Sequence, residues 1–152
     1  MEITAGEVKK LRDETGAPVM EIRRALIQAN GDEESAKNIL KEKGLEKAAA
    51  RAQKATAQGL IESYVHNDAR VGAMVHLACE TDFVARTDEF KKLAKELAMQ
   101  VAAMNPATVE ELLEQEYIRD LSKKVRDLVA EVVAKTGENI QIRRIARFAV
   151  GE

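Results

Sequence analysis

Cys79 is the only thiol among 152 residues, and His66 and His76 are the only imidazoles. A cysteine nucleophile needs a positioned base, and these histidines are the obvious candidates. The spacing argues against that use. Cys79 ends an alternating run, Val71, Ala73, Val75, Leu77 and Cys79, that reads as one face of a strand. A lone cysteine on an apolar face is far more often packing than chemistry. The histidines read most simply as surface residues of a strand or turn. The eight glycines are scattered, without a Walker or dinucleotide pattern, and there is no HExxH and no Cys/His set for zinc. The acidic pairs Asp88-Glu89 and Glu110-Glu111 stand at helix starts, where the dipole already explains them. An enzyme, a resident metal and a cofactor are therefore not expected. Two basic groups remain. Arg143, Arg144 and Arg147 have no aromatic interleaving for base stacking and read as a solvated strand face. Lys47, Arg51 and Lys54 lie in an Ala-rich stretch, where helical solubility explains them about as well as an acidic partner does.

One segment has no such bland account. Glu80-Thr81-Asp82-Phe83-Val84-Ala85-Arg86 joins a strand to a helix and carries an aromatic. Phe83 either folds back as a core plug or projects from a tight turn. Composition and periodicity leave both open.

The elements that must position this segment are legible from caps and periods. Composition, 45% apolar and 33% charged, is that of a soluble globular protein, and 3% aromatics demands an aliphatic core. A net charge of -2 gives no bulk drive toward nucleic acid or an acidic membrane. No apolar run reaches the roughly 20 residues of a membrane span. The N-terminus has neither the basic nor the apolar region of a secretory signal. A single Cys fits a reducing cytosol, so a cytoplasmic protein is expected. Three helices fill residues 1–44. The first opens on a Thr4/Glu7 capping box, carries Val8 and Leu11, and stops at Gly16. The second starts at Pro18, with a stripe of Val19, Ile22, Leu26 and Ala29. The third starts at Asp32, carries Ala36, Ile39 and Leu40, and is expected to close at Gly44. Residues 45–58 read as a helical linker of local charge about +2. A core of residues 59–152 follows. Leu60–His66 and Val71–Glu80 read as a hairpin through Asn67-Asp68-Ala69-Arg70. Thr87 caps a helix over Asp88–Met104 that Asn105-Pro106 ends. Thr108 and Glu111 open a long helix to about Lys135, with Ile118, Leu121, Val125, Leu128 and Val132 as an apolar seam. Gly137 breaks it, and Gln141–Val150 returns to strand character as a third strand. The expected fold class is α+β: a three-helix unit, a helical linker, and a small core of about three antiparallel strands packed with helices.

Three motifs, in order along the chain, resemble the bacterial translation elongation factor Ts family. They are Val8-Lys9-Lys10-Leu11-Arg12 with Thr15-Gly16-Ala17 and Met20; Thr81-Asp82-Phe83-Val84-Ala85-Arg86; and Lys135-Thr136-Gly137-Glu138-Asn139-Ile140 with Arg143-Arg144. The resemblance implies a guanine-nucleotide exchange factor for elongation factor Tu, the GTPase that delivers aminoacyl-tRNA. It implies a ubiquitin-associated-like helical unit that docks on the GTPase domain through Lys9, Arg12, Val19 and Met20, around the Gly16 turn. It implies that Thr81, Asp82, Phe83 and Val84 insert between helices of the partner and disturb its magnesium site. No cofactor, direct nucleic-acid contact or membrane contact is implied. The chain departs from the family in having Pro18-Val19-Met20-Glu21 where Gly-Met-Met-Asp is common, in His76 and Ala78, and in a short middle. A short form suggests a homodimer, with the Ile118–Val132 seam either a surface for it or packed within the chain. A helical adaptor, a nucleic-acid-binding helical domain and a Cys79 enzyme are the rival readings.

Overall fold

Three helices open the chain in the computed structural model, which describes residues 2–152. Helix α1 (Ala5–Thr15) starts on a complete capping box: Glu7 N–H donates to Thr4 Oγ1 and Thr4 N–H to the Glu7 carboxylate at 2.8 Å. It ends at Gly16 with φ of 68°, and Lys135 lies over this residue so closely that a Cβ there would collide with its side chain. Helix α2 (Val19–Gln28) follows Pro18 and buries Ile22, Ala25 and Leu26. Val19 is exposed rather than part of that stripe. Helix α3 (Glu33–Arg51) is capped by Asp32, which accepts from Ser35 N–H. Val8, Leu11, Ala17, Ile22, Ala25, Leu26, Ala36 and Leu40 form a core of their own.

Gly44 does not close the third helix. The helix runs on to Arg51 and takes in half of the expected linker, with Gly44 buried inside it. A Cβ at Gly44 would lie 3.7 Å from the Ala130 carbonyl oxygen and 3.8 Å from the Ala134 Cβ. Here the missing side chain serves a close helix–helix approach, and the Ala-rich sequence beyond it sustains the helix.

The second core is built on a three-stranded antiparallel sheet in the order β1 (Gln58–Val65), β2 (Val71–Cys79), β5 (Ile140–Ala149). The expected alternation is present: Ala73, Val75, Leu77 and Cys79 are buried on one face. Helix α5 (Asp88–Met104), capped by Thr87, lays Phe90, Leu93, Leu97 and Val101 in the same core. Each large side chain buried there contributes about 1.5–3 kcal/mol. The opposite face of the sheet carries exposed Ile61, Val65, Met74 and Phe148. A bulge at His76/Leu77 leaves Arg143 as an extra residue in β5, so Arg143 and Arg144 are both exposed. Arg147 is not on that solvated face. Its Nε donates to the Ala102 carbonyl at 3.0 Å, and its Nη1 pairs with Glu152.

The long helix expected from Thr108 to Lys135 is two helices separated by a ribbon. Helix α6 (Val109–Glu114) ends before strands β3 (Glu116–Tyr117) and β4 (Asp120–Lys124), and α7 (Val125–Thr136) follows. The cause is tertiary. Gln100, buried in α5, donates to the Glu116 carbonyl at 3.0 Å and accepts from Ile118 N–H at 3.1 Å. Tyr117 is buried, and its hydroxyl donates to Glu96 at 2.6 Å. A buried amide with both ends satisfied outweighs the weak helical preference of this stretch. The apolar seam is thereby divided: Val125 and Val132 face the core while Leu121 is exposed on the ribbon. It is not a continuous surface for a second copy. Among the described residues, no helix is long and apolar enough to cross a membrane.

Candidate functional site

The connection from β2 to α5 is a single helical turn, α4 (Asp82–Ala85). Thr81 is its N-cap, accepting from Val84 N–H, and Thr87 closes it by donating to the Val84 carbonyl at 2.7 Å. Val84 points inward and is buried in the main core. Phe83, one residue earlier on the turn, is 77% exposed. The structure therefore chooses projection over the core plug. A bare phenyl ring on a polar connection gives up about 1.5–3 kcal/mol of burial. Asp82 does not cap the turn; it lies one step into the helix and pairs with Arg86 at 3.1 Å, both partly exposed.

The base of the turn is held from two sides. The Glu138 carboxylate accepts from Glu80 N–H at 3.1 Å, from Thr81 N–H at 2.9 Å and from the Thr81 hydroxyl at 2.6 Å. Glu80 in turn accepts from Asn139 N–H at 2.6 Å and from Arg51 Nη2 at 2.7 and 2.9 Å. The Arg51 guanidinium holds the Glu80 carboxyl below its ordinary value of 4.5. Asn139, itself buried, donates its amide to the Lys54 carbonyl at 2.7 Å and so ties down the chain just past α3. Beneath the turn, Cys79 donates to the Thr81 carbonyl at 3.1 Å. Burial, reinforced by Glu138, pushes its thiol up to about 11, the opposite of an activated nucleophile. Neither His66 nor His76 makes a hydrogen bond to it, and His66 pairs with the Tyr64 hydroxyl at 2.9 Å.

The other four residues singled out in the sequence lie on the N-terminal helices. Lys9 and Arg12, three apart on α1, share one flank and are exposed. Val19 and Met20, at the start of α2, are 39% and 60% exposed. Ile27 was missed. It stands seven residues after Met20, hence on the same helical face, and is also exposed. The seven-residue spacing of Met20 and Ile27 is the sequence signal for that shared face. A cleft of about 450 Å³ opens between α3 and α7. Its Lys37, Lys41 and Lys123 are each already held by a carboxylate.

The chain is similar to known proteins along its whole length. The family model described as elongation factor TS matches residues 80–152. Elongation factor Ts of Caldanaerobacter subterraneus subsp. tengcongensis is 42% identical over 195 positions, covering 99% of this chain and 98% of the relative. Elongation factor Ts of Coprothermobacter proteolyticus is 41% identical and covers both chains in full. The chain belongs to the elongation factor Ts family. That membership gives it a role in translation elongation. Elongation factor Ts of Thermotoga maritima is 40% identical, again over 195 positions. Those alignments are longer than the 152 residues of this chain, so these elongation factor Ts relatives carry segments that it lacks. The family model begins at Glu80, one residue before the Thr81 cap of the Phe83 turn, and ends past the Glu138 motif.

Proposed function

We propose that this chain is a guanine-nucleotide exchange factor that acts on elongation factor Tu in the cytoplasm, with no bond-making chemistry of its own. The observation that carries the reading is Phe83: 77% exposed, on a turn whose base is fixed by hydrogen bonds. A rigid apolar projection is suited to enter a partner and disturb the magnesium site there. The exposed Lys9, Arg12, Val19 and Met20 are proposed as the docking surface of residues 1–44, and Ile27 extends it. Thr81 and Val84 then act as supports, one capping the turn and the other anchoring it, while Phe83 does the wedging and Asp82 stands beside it.

The energetics are consistent with a shared task. An exchange factor must bind the nucleotide-free partner better than the loaded one, and the coupling is reciprocal. A thousandfold faster release needs a barrier lower by roughly 4 kcal/mol. Burying one Phe supplies about 1.5–3 kcal/mol. The remainder comes from the docking of residues 1–44, which keeps the wedge in place. An adaptor built on the three-helix unit would leave Phe83 and its bracing without a purpose. For the proposed homodimer, the outer sheet face with Ile61, Val65, Met74 and Phe148 replaces the divided seam.

The test is release of a fluorescent GDP analogue from elongation factor Tu, followed by stopped flow with and without this protein. Dose-dependent acceleration is expected. A folded chain that leaves release from an active Tu unchanged would overturn the exchange reading and favour the adaptor.

A further inference from the structure

In the third motif, Lys135 lies over the Gly16 turn, while Glu138 and Asn139 face the segment that carries Phe83. The motif's place in the fold suggests why it is there. Helix α7 ends at Gly137 with φ of 73°, and the chain turns at once into β5. That turn sets Glu138 against the first residues beyond β2. Strand β2 is paired on both sides as far as Cys79. Past it, the backbone N–H groups of Glu80 and Thr81 have no strand partner, and the Glu138 carboxylate takes both. Its second oxygen receives the Thr81 hydroxyl proton at 2.6 Å. With its proton committed there, Thr81 Oγ1 offers its lone pairs to Val84 N–H, the cap of the turn that carries Phe83. Glu80 returns the arrangement by accepting from Asn139 N–H at 2.6 Å. Glu138 thus holds the backbone of Glu80 and Thr81, and Glu80 holds that of Asn139, across the gap.

We propose that Glu138 is a positioning residue for the exchange reaction, fixing the Thr81 cap so that Phe83 is presented in its projecting direction before the partner arrives. This rests on the reading of Phe83 as the wedge. A turn ordered in advance does not lose backbone freedom on insertion, whereas an unbraced one does. The contact is absent from residues 1–44, so docking is independent of it.

The experiment follows release of the fluorescent GDP analogue from elongation factor Tu against rising concentration of the full chain, wild type and variant. Glu138→Ala is expected to lower the saturating release rate roughly tenfold, while the half-saturating concentration moves less than about twofold. Glu138→Gln keeps an oxygen for the two N–H groups and sets its amide N–H to donate to Thr81 Oγ1, which still accepts from Val84 N–H, so its rate is expected within about threefold of wild type. Glu138→Asp keeps the charge but withdraws it by one methylene, and its rate should fall with Ala rather than Gln. A merely structural role predicts wild-type saturating rates in every variant that folds, and that result would overturn the proposal. Amide hydrogen exchange separates this from failure of the wedge reading. Residues 80–86 should lose protection in Glu138→Ala and keep it in Phe83→Ala. Unchanged protection in Glu138→Ala overturns the bracing whatever the release rates. A wild-type chain that does not accelerate release overturns the exchange reading and Glu138's part in it, while protection still reports on the brace.

Discussion

At the scale of single residues, Phe83 and Val84 are neighbours with opposite fates. One is 77% exposed and the other 8%. A one-turn helix places successive side chains about 100° apart, so burying Val84 forces Phe83 outward. Phe83→Ala should therefore leave the melting temperature almost unchanged and slow nucleotide release from elongation factor Tu by about tenfold or more. Equal rates for the folded variant and wild type would remove Phe83 from the mechanism. Met20, 60% exposed, is the matching residue on the docking side. Met20→Asp should raise the half-saturating concentration about tenfold with the fold intact, as circular dichroism would check. An unchanged half-saturating concentration in the folded variant would remove Met20 from the docking surface. Cys79 is a spectator: buried, hydrogen-bonded, and with its thiol pushed up to about 11.

At the scale of elements, α3 is the informative one. Its sequence contains a stop signal, Gly44, that the structure reads through because α7 lies against it. The space there is ordinary contact distance rather than collision. Gly44→Ala is therefore expected to fold and to gain about 0.5–1 kcal/mol in urea unfolding, from reduced backbone freedom in the unfolded chain. A loss of stability would mean that the α3–α7 approach cannot yield even a few tenths of an ångström. The ribbon over 116–124 teaches the converse. Its residues show helical spacing, yet Gln100 and Glu96, more than fifteen residues away, dictate strand.

At the scale of the whole molecule, ion pairs and braces join the two cores. Lys41 on α3 pairs with the buried Asp127 of α7 at 3.1 Å, and Arg51 at the end of α3 pairs with Glu80. Arg51 holds the Glu80 carboxyl low in the folded state. A lowered carboxyl contributes stability that is complete above its unfolded value, near 4.5, and is lost as pH falls through the folded one. Unfolding free energy should thus decline below about pH 4.5, and Glu80→Gln should flatten part of that decline. An identical acid slope in the variant would remove Glu80 from the account. The outer sheet face makes the other prediction at this scale. Wild type is expected to sediment as a dimer at micromolar concentration, and Phe148→Glu as a monomer. A monomeric wild type would leave that face without a second copy.

Residues within four or five positions of one another determined much of this protein. The Thr4, Asp32 and Thr87 caps, the Gly16 and Gly137 stops, the alternation of β2 and the bounds of α5 all depend on local hydrogen bonds and side-chain period. The family motifs, being contiguous runs, were legible for the same reason. The rest was decided by partners far apart in the chain. Whether Phe83 projects depends on which neighbour the core accepts. Whether Gly44 ends a helix depends on a second helix 86 residues on, at Ala130. That Glu138 holds the Phe83 turn depends on a backbone 57 residues away. Such choices are settled by packing and by the cost of leaving a buried polar group unpaired, and neither quantity exists until the chain has closed on itself.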